Sequence, residues 1–145
     1  MNKAIKSVLT IITAAVVLPA IQFQSSAQTG AQLTVKEIMN AIITPMTATI
    51  WGAYQLEGDA QWQEIENAAL TVIAAGNLLA SGVSESQFEV AARSAAWQDY
   101  NAQMIAAARQ VIAAVAKKDE EALSNAGNDA LYPPCESCHQ DYQDK

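Results

Sequence analysis

The chain is poor in the residues that usually announce a metal centre, a β framework or a nucleic-acid surface. It has one histidine and two cysteines, six glycines and four prolines, and eight basic against fifteen acidic side chains in 145 residues. The shortage of basic charge argues against nucleic acid or anionic lipid as partners, since a net negative surface repels both. No segment alternates apolar and polar residues as a half-buried strand does, so no sheet is expected. No repeat at a solenoid period and no low-complexity linker divides the chain, and its length suits a single domain. No nucleophile–base pair or second ligand cluster stands out, so an enzyme is not expected.

No apolar run reaches the ~20 residues that a spanning helix needs. The longest opens after Lys3 and Lys6, extends from Val8 to Ile21, and is followed by the small residues Ser25, Ser26 and Ala27. A positive start, a short apolar stretch and a small-residue cleavage site make 1–27 an expected secretory signal peptide, cut after Ala27. The mature domain is then 28–145, with six basic and fifteen acidic side chains and a net charge of −9. Export places it in an oxidising compartment, where a disulfide is permitted.

What is abundant is alanine at helical spacing. Thr34 and Glu37 form a capping box ahead of Val35, Ile38, Met39, Ile42, Met46, Ile50 and Tyr54, one stripe at spacings of three and four. Pro45 inside this helix removes a hydrogen bond to Ala41 and should kink it. After Gly58-Asp59, a second helix from about Ala60 to Ala80 buries Trp62, Ile65, Ala69, Val72, Ile73, Gly76 and Leu79. Ser84 with Gln87 opens a long third helix through Phe88, Ala92, Ala95, Met104, Ala108, Val111, Ile112 and Val115. Lys117 and Lys118 suit its C-terminal dipole. Asp119 caps a fourth segment with Leu123, Ala126, Ala130 and Leu131 on its core face. Pro133-Pro134 should interrupt it and begin a short final helix. Amphipathic helices joined by short turns specify an all-α, antiparallel four-helix bundle.

Both cysteines and the only histidine fall in that last segment, Cys135-Glu136-Ser137-Cys138-His139. C-x-x-C-H is the attachment signature of c-type haem. Thiols three residues apart on a helical turn reach the two vinyl groups on one side of a porphyrin, and the adjacent imidazole swings under the iron. Structural zinc would need four ligands where the chain has three cysteine or histidine residues. A thioredoxin-like C-x-x-C belongs after a strand, and none is expected. A plain Cys135–Cys138 disulfide is the remaining alternative. One haem c per chain is the expected cofactor, held by Cys135 and Cys138 as thioethers with His139 as proximal iron ligand.

With the only histidine used, Met39, Met46 and Met104 are the thioether donors left for the opposite side of the iron. Met39 and Met46 lie seven residues apart on one stripe, so spacing does not choose between them. Methionine on an apolar face is also ordinary core filler.

A helical bundle with C-x-x-C-H at its C-terminal end resembles the class II cytochromes c, the cytochrome c-prime family. The resemblance extends from about Thr34 to Tyr142. It rests on Thr34 to Asn40 continuing to Trp51, on Ala95-Ala96-Trp97, and on the haem motif with Tyr142 three residues after the histidine. It is strongest to the periplasmic branch that carries a first-helix methionine. The resemblance implies that the residue opposite the proximal histidine comes from the first helix, at Met39. Methionine there implies a six-coordinate electron carrier; an open position there implies a five-coordinate protein that binds small gases such as NO or CO.

Tyr142 and Trp97 are candidates to line the haem, beside the alternative of core packing, while Trp51, Trp62 and Tyr132 are expected as packing residues. Two family features, an arginine one turn before the distal residue and a basic residue after the aromatic, are replaced by Val35 and Gln143. The expected function is therefore single-electron transfer in the periplasm of a Gram-negative bacterium. Its expected partners are redox proteins with a basic docking surface. Family members are often dimers through their first two helices, but no interface is legible in these residues.

Overall fold

The computed structural model describes residues 33–81, 91 and 94–143. The expected signal peptide, the Ser84–Gln87 capping box, and Phe88 and Ala92 lie outside the described residues. Among the described residues the fold is all-α, with four helices and no strand. Helix α1 comprises Val35–Glu37, a π-helical turn Ile38–Ile43, and Thr44–Trp51; α2 is Asp59–Ser81; α3 is Ala95–Lys117. Helix α4 comprises Glu120–Asn125, a second π turn Ala126–Leu131, and Tyr132–Tyr142.

Helix α1 starts where the capping box places it. The Thr34 hydroxyl accepts from the Glu37 N–H at 3.1 Å, and the Glu37 carboxylate accepts from the Thr34 N–H at 2.8 Å. The second bond holds the Glu37 carboxyl below the usual carboxylate range. Pro45 is accommodated by the π turn just upstream, where the Thr44 N–H donates to the Met39 carbonyl five residues back. The extra residue shifts the buried face. Ile43 and Thr47 are buried in place of the expected Ile42 and Met46, which are half-buried at its edge. Thr47 tolerates burial because its hydroxyl donates to the Ile43 carbonyl at 3.0 Å. Tyr54, expected on the stripe, lies past the helix end and is 75% exposed.

Helix α2 buries the face expected of it, with Ile73 at its margin. Gln61 supports its first turn by accepting the N–H groups of Glu57 and Gly58 at 2.9 and 3.1 Å. Helix α3 begins later than expected. Ser94 is extended (φ −72°, ψ 146°) and its hydroxyl accepts the Trp97 N–H at 3.2 Å, so an unbroken helix from Ser84 does not form. Asp119 caps α4 by accepting the Ala122 N–H at 2.9 Å. Pro133-Pro134 does not interrupt α4. The second π turn, in which the Tyr132 N–H donates to the Gly127 carbonyl, carries the helix through both prolines.

One core joins the four helices, with Ile38, Val72, Val111 and Leu131 at its centre. Helices α2 and α3 pack closely at Gly76. A Cβ there would lie 2.7 Å from Ile105 Cγ1 and 3.2 Å from Asn101 Oδ1. The buried Asn101 amide donates to the Gly76 carbonyl at 2.9 Å, fixing the crossing. Overpacking at such a site costs about 1–3 kcal/mol. Gly76→Ala should lower unfolding free energy in urea by that amount, and adding Ile105→Ala should cost less than the two separate losses summed. A fully stable Gly76→Ala protein would contradict the close approach.

Candidate functional site

The last third of α4 carries the sulfur and imidazole groups. Cys135 and Cys138 sit one helical turn apart, half-buried and packed against the core, and both are free thiols. Burial pushes both thiols up in pKa; Cys138 rises to about 11, with the neighbouring Cys135 and Asp141 adding to the effect. They are therefore protonated at neutral pH. A redox-active C-x-x-C works through a thiolate of lowered pKa, and this pair has the opposite character. His139 follows on the same helix with its side chain exposed.

Among the described residues no three His, Cys, Asp or Glu side chains group as chelators of a metal ion. A chelated zinc would need such a group. A haem does not, because its porphyrin supplies four of the iron's ligands and the protein need add only one or two. Two neutral thiols at a spacing of three, followed directly by an accessible imidazole, fit that group in number and chemistry.

The three candidate methionines separate by burial. Met104 is 6% exposed inside the core on α3, as core filler is. Met39 and Met46 are half-buried on α1 at the margin of the core. The π turn places Met39 at its N-terminal end, where the Met39 carbonyl accepts the Thr44 N–H.

The two pocket candidates meet each other. The Trp97 and Tyr142 rings pack edge to face with centroids 5.1 Å apart, and Trp97 is buried. Two contacts outside the expectations from sequence fasten the end of α4 to the start of α3. Ser94 and Tyr142 share a hydroxyl hydrogen bond of 2.9 Å, and the Tyr100 hydroxyl donates to Asp141 at 2.9 Å. The second bond holds the Tyr100 phenol protonated to higher pH than usual. None of these pairs had a local signal, since each joins residues more than forty apart.

Trp51 does more than pack. Its Nε1–H donates to the Gly127 carbonyl at 2.9 Å, and its ring meets Tyr132 edge-on with centroids 6.3 Å apart. Gly127 had a sequence signal, as a glycine inside a helical pattern. An open groove of about 510 Å³ between α3 and α4, lined by Ala113, Ala114, Ala122 and Ala126, holds none of the site residues.

Tyr142→Phe should cost about 1 kcal/mol of stability, the net worth of one hydrogen bond. Ser94→Ala should cost more, because Ser94 also caps α3. In a double-mutant cycle the coupling should be about the size of the shared bond, and zero coupling would contradict the Ser94–Tyr142 contact. Compared with known protein families, with curated proteins and with solved structures, the chain matches none.

Proposed function

We propose that this chain is an exported, periplasmic monohaem c-type cytochrome that carries single electrons rather than catalysing a reaction. Its fold is then an antiparallel four-helix bundle of the cytochrome c-prime kind. Pairings in opposite sequence order support that arrangement: Asp59 with Lys118 and Gly76 with Asn101 between α2 and α3, and Tyr142 with Ser94 at the far end of α4. The observation that carries the proposal is the donor set on α4: two free, neutral thiols one turn apart and an accessible imidazole on the next residue.

Cys135 and Cys138 would hold the haem as thioethers. Each S–H adds across a vinyl C=C, sulfur to one carbon and hydrogen to the other, so no oxidant is consumed. His139 would be one axial ligand of the iron and Met39 the other. Bound, the haem supplies one-electron exchange between ferrous and ferric iron. A methionine ligand raises the potential relative to two histidines, and the low-dielectric core disfavours the added charge of the ferric form. The net charge of −9 in the mature domain suits a basic redox partner, drawn in by long-range attraction.

Met39 also packs against the core. If it is only filler there, the haem is open on that side and binds gas. The visible spectrum separates the two. The ferrous protein should be low-spin and six-coordinate, becoming high-spin and binding carbon monoxide in Met39→Ala. A wild-type protein already high-spin and avid for carbon monoxide would overturn the carrier. Haem colour should survive denaturing electrophoresis and be weakened or lost in Cys138→Ala; a colourless protein would overturn the cytochrome.

A further inference from the structure

Helix α1, with Met39, and helix α4, with His139, meet most closely where Thr44–Trp51 packs on the second π turn. There the Trp51 indole donates to the Gly127 carbonyl at 2.9 Å. The approach is tight: a Cβ at 127 would lie 3.2 Å from Trp51 Cδ1, so the indole would have to give by a few tenths of an ångström, and 3.7 Å from Ile50 Cγ2, an ordinary contact. A second tie lies past the end of α1, where the Leu56 N–H donates to Glu120 Oε1 at 2.9 Å. From Trp51 to Leu56 the first strand of chain moves forward, while from Gly127 to Glu120 the second moves back. The two helices therefore pass each other in opposite directions.

Counted from this contact, the two ligand-bearing arms are the same. From Met39 to Trp51 there are five π-helical residues, Met39 to Ile43, and eight α-helical ones, Thr44 to Trp51. From Gly127 to His139 there are again five π-helical residues, Gly127 to Leu131, and eight α-helical ones, Tyr132 to His139. Whatever the rise per residue of each kind, equal arms end at equal heights. The π turns also set the direction in which the arms end. Twelve ordinary α-helical steps would stop about a third of a turn off the starting face. A π turn absorbs one extra residue, and the remaining eleven steps make about three whole turns. Met39 thus returns to the face of α1 that holds Trp51, and His139 to the face of α4 that holds Gly127. Met46 fails on both counts. Five α-helical residues from Trp51, it falls far short of the level of His139 and, about 1.4 turns on, stands about 0.4 of a turn off the starting face.

We infer that the Trp51–Gly127 contact is a clasp that sets Met39 level with and facing His139, selecting Met39 over Met46 as second axial ligand; this rests on the haem reading above. Trp51 is a positioning residue that touches neither haem nor iron.

The test uses the full chain matured with its haem. Trp51→Phe keeps an aromatic ring and removes the Nε1–H; Gly127→Ala crowds the indole against its hydrogen-bond partner and serves if Trp51→Phe folds poorly. Each should retain covalent haem and helical circular dichroism, yet shift ferrous haem toward high spin. Carbon monoxide association should quicken by roughly tenfold, the factor that one net hydrogen bond allows. In a Met39→Ala background Trp51→Phe should add nothing, an outcome that general destabilisation would not produce. Met46→Leu should leave the spectrum unchanged. If Met39→Ala opens the iron while Trp51→Phe and Gly127→Ala bind carbon monoxide at the wild-type rate, the clasp is overturned and the haem reading stands. If Met46→Leu opens it instead, the register is overturned. A wild-type chain without covalent haem overturns both.

Discussion

A proline inside a helix withholds one N–H and presses its ring on the carbonyl four residues back. Both helices that carry candidate iron ligands contain that constraint, at Pro45 in α1 and at Pro133 and Pro134 in α4, and both answer it with a π turn immediately upstream. The answer keeps each helix continuous and moves the faces downstream by one residue. Ile43 and Thr47 go into the core, and Met46 is left at its edge. In α4 the same device delivers Cys135 and Cys138 to the core side while His139 stays accessible. Without the π turns, a helix forced through these prolines would carry its sulfur and imidazole groups about a quarter of a turn away.

The chemistry proposed for α4 rests on the spacing of its thiols and imidazole, and the state of the thiols argues only against one rival. A C-x-x-C pair used for disulfide exchange needs a thiolate, and electropositive surroundings to stabilise it. Here burial, a second thiol and the Asp141 carboxylate all act the other way. Thiols held neutral in this way are not set up for cycling. Permanent attachment would also relieve the core of having to hold a large flat group by packing alone, in a domain with only one core to offer.

Much of this was legible in sequence, for local reasons. The capping box at Thr34 and Glu37, the Asp119 cap and the buried face of α2 depend on neighbours within one or two turns, and spacing encodes them. C-x-x-C-H is likewise local, and its spacing is what raises the haem proposal before any fold is known. The π turns were not legible, because proline signals a lost hydrogen bond without saying whether the helix kinks, stops or widens. That single ambiguity accounts for the misplaced stripe at Ile42 and Met46 and for the expected break at Pro133. The Ser94 start of α3 was hidden by a continuing apolar pattern. Tertiary pairs such as Trp51 with Gly127 and Tyr100 with Asp141 join residues far apart in the chain, where a single sequence carries no trace of contact.

The central claim is that Cys135 and Cys138 are bonded to one haem. Intact mass measurement of the protein, exported in cells that carry haem-attachment machinery, tests it most directly. The account predicts the mature polypeptide beginning at Gln28 plus the mass of one haem, with neither cysteine open to alkylation under denaturing conditions. A polypeptide lighter by two hydrogens, its cysteines released only by a reductant, would contradict it.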